Sequence, residues 1–123
     1  MTRCVPRVGP VALARALVYE SWGSVKESLD RGERLSVRQH TLIRLAMANV
    51  KWASHEVSEF VYKASGTLGL RSGTIQRLFR DMHAGTQHIV AAPPVFRAAG
   101  RELAGLAEGK TWLFLDLVDP PVS

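Results

Sequence analysis

The side chains in this sequence best suited to holding a metal or moving a proton are its histidines, His40, His55, His83 and His88. His55 and Glu59 stand four apart, a spacing that puts both on one helix face. His83 and His88 stand five apart and share a face poorly. Di-metal sites in helical bundles draw a Glu-x-x-His motif from each of two helices. That motif is absent from the sequence, so no metal site is expected, and His40 and His55 read as solvated helix positions. A second cluster is Arg77, Arg80 and Asp81, which reads either as an Asp–Arg pair tying neighbouring helices together or as a contact for an anion. Just before it, Gly66, Gly69 and Gly73 alternate with Ser65, Thr67 and Ser72. Such a loop lets backbone approach a ligand closely, and N–H groups at a following helix start can meet a phosphate. Taken alone, His88 beside Ile89 and Val90 reads as a core residue. No Ser–His–Asp or Cys–His arrangement is recognisable, and Cys4 lies in a segment that offers it no base.

The elements that must position these residues are helices. Val11, Ala14, Val18, Trp22, Val25 and Leu29 recur at spacings of three and four, which predicts a helix from about Pro10 to Asp30 with that stripe inward. Gly32 follows as a stop. Ser36 and Gln39 form a capping-box pattern. The stretch that follows has no proline or glycine before Gly66. It is apolar around more than one face, from Leu42 and Ile43 to Val61 and Ala64, which predicts a central helix with neighbours on two sides. Arg38, Arg44, Lys51 and Glu59 are expected to point away from its core. A third helix is predicted from about Thr74 to Val90, with Ile75, Leu78, Phe79, Met82, Thr86, Ile89 and Val90 buried. Pro93 and Pro94 end it and open a fourth, from about Pro94 to Leu106, with Val95, Phe96, Ala99 and Leu103 inward. The apolar run Trp112 to Leu117, closed by Pro120 and Pro121, reads as a strand or an extended arm packed on the bundle. Short connections imply antiparallel neighbours, so the expected fold is all-α, an antiparallel helical bundle of about four helices.

The composition agrees with a single domain over residues 1–123. Apolar residues make up 46% of the 123, enough for a core and too many for a disordered chain. No apolar run approaches the roughly 20 residues that span a bilayer, and Arg7 and Arg15 interrupt any signal-peptide core. One cysteine forms no internal disulfide, which fits a reducing compartment, so a cytoplasmic location and no membrane association are expected. The net charge of +5 would attract anions, but the basic residues are scattered among acidic ones from Arg3 to Lys110. A nucleic-acid-binding regulator has neither a basic stripe nor a motif behind it, and no nucleic-acid partner is expected.

One longer pattern is more specific. The run from Tyr62 through Ser65, Gly66 and Thr67 to His88 contains Arg77-Leu-Phe-Arg80-Asp81-Met-His-Ala84-Gly-Thr-Gln-His88. It resembles the C-terminal helical domain of the acyl-CoA dehydrogenase superfamily, and most closely that of the two-component flavin-dependent monooxygenases, with their pattern R-L-x-R-D-x-x-A-x-x-x-H. The resemblance covers roughly Pro10 to Gly105, which frames residues 10–106 as the family-like bundle and 107–123 as a divergent tail. It implies that Ser65, Gly66 and Thr67 form the small-residue turn that approaches a flavin nucleotide, often that of a neighbouring subunit. Arg80 and Asp81 would be a largely structural pair. His88 would be the active-site histidine, a base near flavin and substrate. The dehydrogenase branch often carries a catalytic glutamate one position later, where this chain has Ile89, which favours the monooxygenase-like branch.

The resemblance thus implies a flavin-dependent oxidoreductase domain using FAD or FMN. The family's N-terminal helical domain and middle β-barrel do not occur in these 123 residues, so the chain is expected to be a natural truncation, part of a split enzyme or an excised domain. Its expected partners are copies of itself, the missing flavin-binding domains or a flavin reductase. The alternative is a non-catalytic helical bundle that serves oligomerisation or partner binding through apolar faces left uncovered.

Overall fold

The computed structural model describes residues 5–122, with side chains from Gly9 onward, so Cys4 lies outside the described residues. Four helices follow in order: α1 (Val5–Asp30), α2 (Val37–Ala64), α3 (Thr74–Thr86) and α4 (Pro93–Leu103). Short 3-10 turns at Gly66–Leu70 and Ile89–Ala91 flank α3, and a hairpin of β1 (Thr111–Leu113) and β2 (Asp116–Val118) closes the chain. The fold is all-α, since the sheet is only this hairpin. Helix α2 is central, packing against α1, α3, α4 and the hairpin. No helix among the described residues is long and apolar enough to cross a membrane.

Local sequence sets the helix ends. At the close of α1, Glu33 N–H donates to Ser28 O at 2.9 Å and Gly32 N–H to Leu29 O at 3.0 Å. Gly32 has φ 69°, the left-handed conformation that this paired closure requires and glycine adopts without strain. Helix α4 ends the same way, with Leu106 N–H on Arg101 O, Gly105 N–H on Glu102 O, and Gly105 at φ 75°. It therefore stops at Leu103, short of the Leu106 that periodicity suggests. The α2 capping box forms as expected: Gln39 N–H donates to Ser36 Oγ at 3.1 Å, and Ser36 N–H to Gln39 Oε1 at 2.9 Å. The other end of the Gln39 amide donates to Ser24 and Ser28 Oγ, fastening the cap to α1.

Packing corrects three of the expected stripes, since Leu103, expected inward on α4, is 41% exposed. On α1 the buried residues are Ala14, Ser21, Val25 and Ser28, while Trp22 and Leu29 stay 47% and 60% exposed. Small side chains at these positions let α1 approach α2 closely, because interaxial distance follows the size of the residues at the contact. The wider Trp22 and Leu29 are left at its margin. The third helix ends at Thr86 rather than Val90. Gln87 and His88 N–H reach back only three residues, to Ala84 and Gly85, and His88 turns extended with ψ 137°. The chain must also reach Ala92 in an extended conformation (ψ 149°), because the pyrrolidine of Pro93 disfavours helix in the residue before it. Leu78 and Ile89, both expected inward, are about half exposed.

The interior is built mostly of small residues, with Ala46, Ala48, Ala91, Ala98 and Ala99 almost wholly buried. The largest fully enclosed side chains are Val95 and Thr41. The hairpin adds Leu117 to a cluster with Ala98 and Ala107, flanked by Val37 and Trp112. Trp112 Nε1 donates to Thr41 Oγ1 at 2.8 Å, and Thr41 Oγ1 donates to Val37 O at 2.9 Å, so the enclosed hydroxyl is fully used. The tail is thus an arm packed on the bundle, and its form is a hairpin with Trp112 opposite Leu117.

Candidate functional site

The turn after α2 carries Ser65, Gly66 and Thr67. Ser65 caps α2 in helical conformation, and its hydroxyl donates to Tyr62 O at 2.7 Å. Gly66 follows at φ 58°, with open space where a Cβ would point. A helical residue followed by a left-handed one turns successive N–H groups toward one concavity, an arrangement that suits anions. The turn is held from beneath by Gly69, which is buried; a Cβ there would lie 3.0 Å from the Tyr62 ring. An exposed turn with no side chain in the way allows the backbone to approach the anionic part of a flavin nucleotide closely.

His88 is not on the helix where the sequence put it. It caps the Ile89–Ala91 turn, exposed, with Nδ1 accepting from Val90 N–H at 3.3 Å. With Nδ1 an acceptor, the proton of the neutral ring sits on the outward Nε2. This conformation presents a hydrogen-bond donor; action as a base through Nε2 requires the other tautomer. The turn and His88 are also far apart. They lie at opposite ends of α3, whose 13 residues span about 20 Å. The structure does not bring the expected site residues together within one chain.

Beside Val90 lies an open groove of about 420 Å³. Trp22 of α1, Ile43 and Met47 of α2, Val90, Val95 of α4, and Phe114 and Leu115 of the hairpin loop line it. Its one charged group is Arg44, which was expected to point into solvent and instead lies half-buried over the Trp112 ring, 4.8 Å from the centroid. Arg44 donates to Phe114 O and His40 O. Burial pushes the Arg44 pKa below its usual value, although a guanidinium keeps its charge in proteins. Burial, and then the charge of Arg44, push His40 down as well, so that ring is neutral at physiological pH. An apolar groove with one fixed cation suits an apolar molecule carrying a single anionic or carbonyl group. Sequence reasoning missed Arg44 and Trp112, whose pairing depends on the hairpin folding back over α2. The only hint of it was an aromatic residue in an apolar run after the last helix.

Two other expectations fail. Arg80 and Asp81 are both exposed, and neither makes an ion pair among the described residues. His55 is not a solvated position: its ring meets that of His83 at 4.1 Å, edge to face, between α2 and α3.

Comparison with known proteins places this fold. The family described as acyl-CoA dehydrogenase, C-terminal domain, matches residues 10–93, which is most of the chain and includes both the turn and His88. No curated protein and no solved structure matches. The chain belongs to the acyl-CoA dehydrogenase C-terminal domain family.

Proposed function

We propose that this chain is the helical domain of a flavin-dependent oxidoreductase of the monooxygenase-like branch, working in the cytoplasm as a homo-oligomer with flavin-binding domains or a flavin reductase. The observation that carries this reading is that the family match spans an exposed turn around a left-handed glycine with open space where a Cβ would point. The Ser65–Thr67 turn would approach the anionic part of FAD or FMN with its backbone, where Gly66 leaves open space. When bound, the flavin supplies electron transfer to or from the substrate. The groove beside Val90 would take the apolar body of the substrate, with Arg44 facing its polar end. His88 would donate from Nε2 to a substrate oxygen and, after tautomer exchange, accept a proton there. The separation of the turn from His88 along α3 supports an oligomer, because the two would then serve flavins in different subunits. Ile89 stands where the dehydrogenase branch often has its glutamate, which supports the monooxygenase-like assignment.

The test is a titration of the purified chain with FAD and with FMN, read by flavin absorbance and calorimetry. Saturable binding that Gly66→Val weakens at least tenfold is expected. In a complex reconstituted with its flavin-binding partner, His88→Ala should abolish turnover while circular dichroism stays that of the parent. Unchanged turnover removes His88 from the mechanism, and no saturable binding removes the turn.

A second reading rests on the surface. Leu13, Tyr19, Leu70 and Leu106 are each about two-thirds or more exposed in a domain whose interior is mostly alanine. That inversion favours a scaffold whose large apolar side chains meet other subunits. A stable oligomer in light scattering, with no flavin bound, would select this reading.

A further inference from the structure

His55, Glu59 and His83 bring three ligand atoms within 4.8 Å of one another, two from α2 and one from α3. His55 and Glu59 are one helical turn apart, so both project toward α3. His83 reaches them from the other side with its tautomer fixed. Its Nδ1 lies 2.9 Å from Phe79 O, and since a carbonyl only accepts, Nδ1 carries the proton. The Nε2 lone pair then faces Glu59 Oε1 at 3.7 Å. In the neutral ring, two acceptors therefore face each other across 3.7 Å, too long for a hydrogen bond. A cation between them removes that repulsion. A histidine donating its far N–H to a backbone carbonyl while its other nitrogen faces a carboxylate is the arrangement found around bound metal ions, where the carbonyl orients the ring and raises its basicity.

The surroundings suit such a site. Phe79 packs on His83 with centroids 4.0 Å apart, Tyr62 stacks on Phe79 at 4.2 Å, and Trp52 meets His55 edge-on at 5.8 Å. These rings wall one side. The other is open, since the side chains of His83 and Glu59 stay 36% and 42% exposed, which leaves an entry path and room for a water ligand. We propose that His55, Glu59 and His83 form a mononuclear site for a divalent transition metal such as Zn²⁺, with two imidazole nitrogens, one carboxylate oxygen and a water in the fourth position. Bonds of about 2.0–2.2 Å require the ligand atoms to close to roughly 3.4 Å. Half-exposed side chains can do this by small rotations without moving a helix. The ion would clamp α3 to α2.

The test uses the full chain, free of any affinity tag and carrying Cys4→Ser so that the thiol supplies no ligand. Calorimetric titration with ZnCl2 at neutral pH should give one ion per chain with micromolar or tighter affinity. His55→Ala and His83→Ala should each weaken binding at least tenfold, His40→Ala should leave it unchanged, and Co²⁺ should give visible bands of four-coordinate intensity. Because the histidine rings also pack between helices, the near-isosteric Glu59→Gln carries the test if either histidine variant loses helicity. Saturating Zn²⁺ should raise the melting temperature of the parent and not that of Glu59→Gln. Absence of binding, or an affinity equal to the parent's in Glu59→Gln and the histidine variants, overturns the site.

Discussion

The two halves of α2 are held by different physics. The N-terminal half is fastened by directional polar bonds to segments distant in sequence. Gln39 reaches α1, Arg38 pairs with Glu102 at 2.9 Å, Thr41 takes the Trp112 indole, and Arg44 reaches the hairpin loop. The C-terminal half meets α3 through stacked and edge-on rings, Trp52, His55, His83, Phe79 and Tyr62, with His83 facing Glu59 and the Trp52 indole donating to Ala91 O at 2.8 Å. Directional bonds fix register, whereas ring packing tolerates small slides. The difference separates a rigid end, which shapes the groove, from an adaptable end, which carries the glycine turn and the three prospective metal ligands.

Breaking the rigid end should have the largest effect. Trp112→Ala removes the indole from the hairpin cluster and leaves the enclosed Thr41 hydroxyl without its donor, and should cost about 3 kcal/mol in denaturant unfolding. Hydrogen exchange should speed in the hairpin and in α2 near Thr41, with amides of α3 little changed. Equal acceleration in α3 would mean that the two ends are one cooperative unit. At the adaptable end, Gly69→Ala pushes a methyl against Tyr62 and Ser65 and should cost about 1–2 kcal/mol, with shifts confined to the turn and the rings.

A smaller effect is expected from pH. His40 has its pKa lowered in the folded state, so below its ordinary value of 6.5 the unfolded chain binds the proton more readily. The resulting stability is present above about pH 6.5 and is lost as pH falls through the lower folded value. The melting temperature should therefore drop on acidification, and less so in His40→Gln. Smallest of all, Ser21→Ala removes a buried hydroxyl that has no partner among the described residues. It should be neutral or raise stability by up to about 1 kcal/mol. A loss instead would show that the hydroxyl has a bonding role in the α1–α2 contact.

What the sequence made legible was mostly local. The Ser36–Gln39 box and the Gly32 stop depend on residues within a few positions of one another, and both form as read. The buried face of α1 was legible only in part: Ala14 and Val25 are buried as read, but Ser21 and Ser28, which no hydrophobic pattern marks, complete the contact. The end of α3 was misread because Ile89 and Val90 continue the helical period by coincidence, while Pro93 governs the backbone. At the site, Ser65, Gly66 and Thr67 do form the exposed turn, since glycine spacing is a local signal. The bonding state of His88 was hidden, because it follows from a turn that replaced a helix. The meeting of His83 with Glu59 was hidden too, because it depends on the register of α3 against α2. A search for Glu-x-x-His passes over it; His-x-x-x-Glu on one helix with a histidine on the next is the pattern that finds it.

The three tryptophans sit one to a region: Trp22 in the groove wall, Trp52 bonded to Ala91 O beside His55, and Trp112 beneath Arg44. Each indole therefore experiences a different local field, and the emission of the protein is a sum of three separable colours. Variants that keep one indole at a time, with phenylalanine at the other two, would give the groove, the histidine pair and the hairpin an optical reporter each. Ligand entry, ion capture and fraying of the tail would then be followed independently in one cuvette, with no label attached.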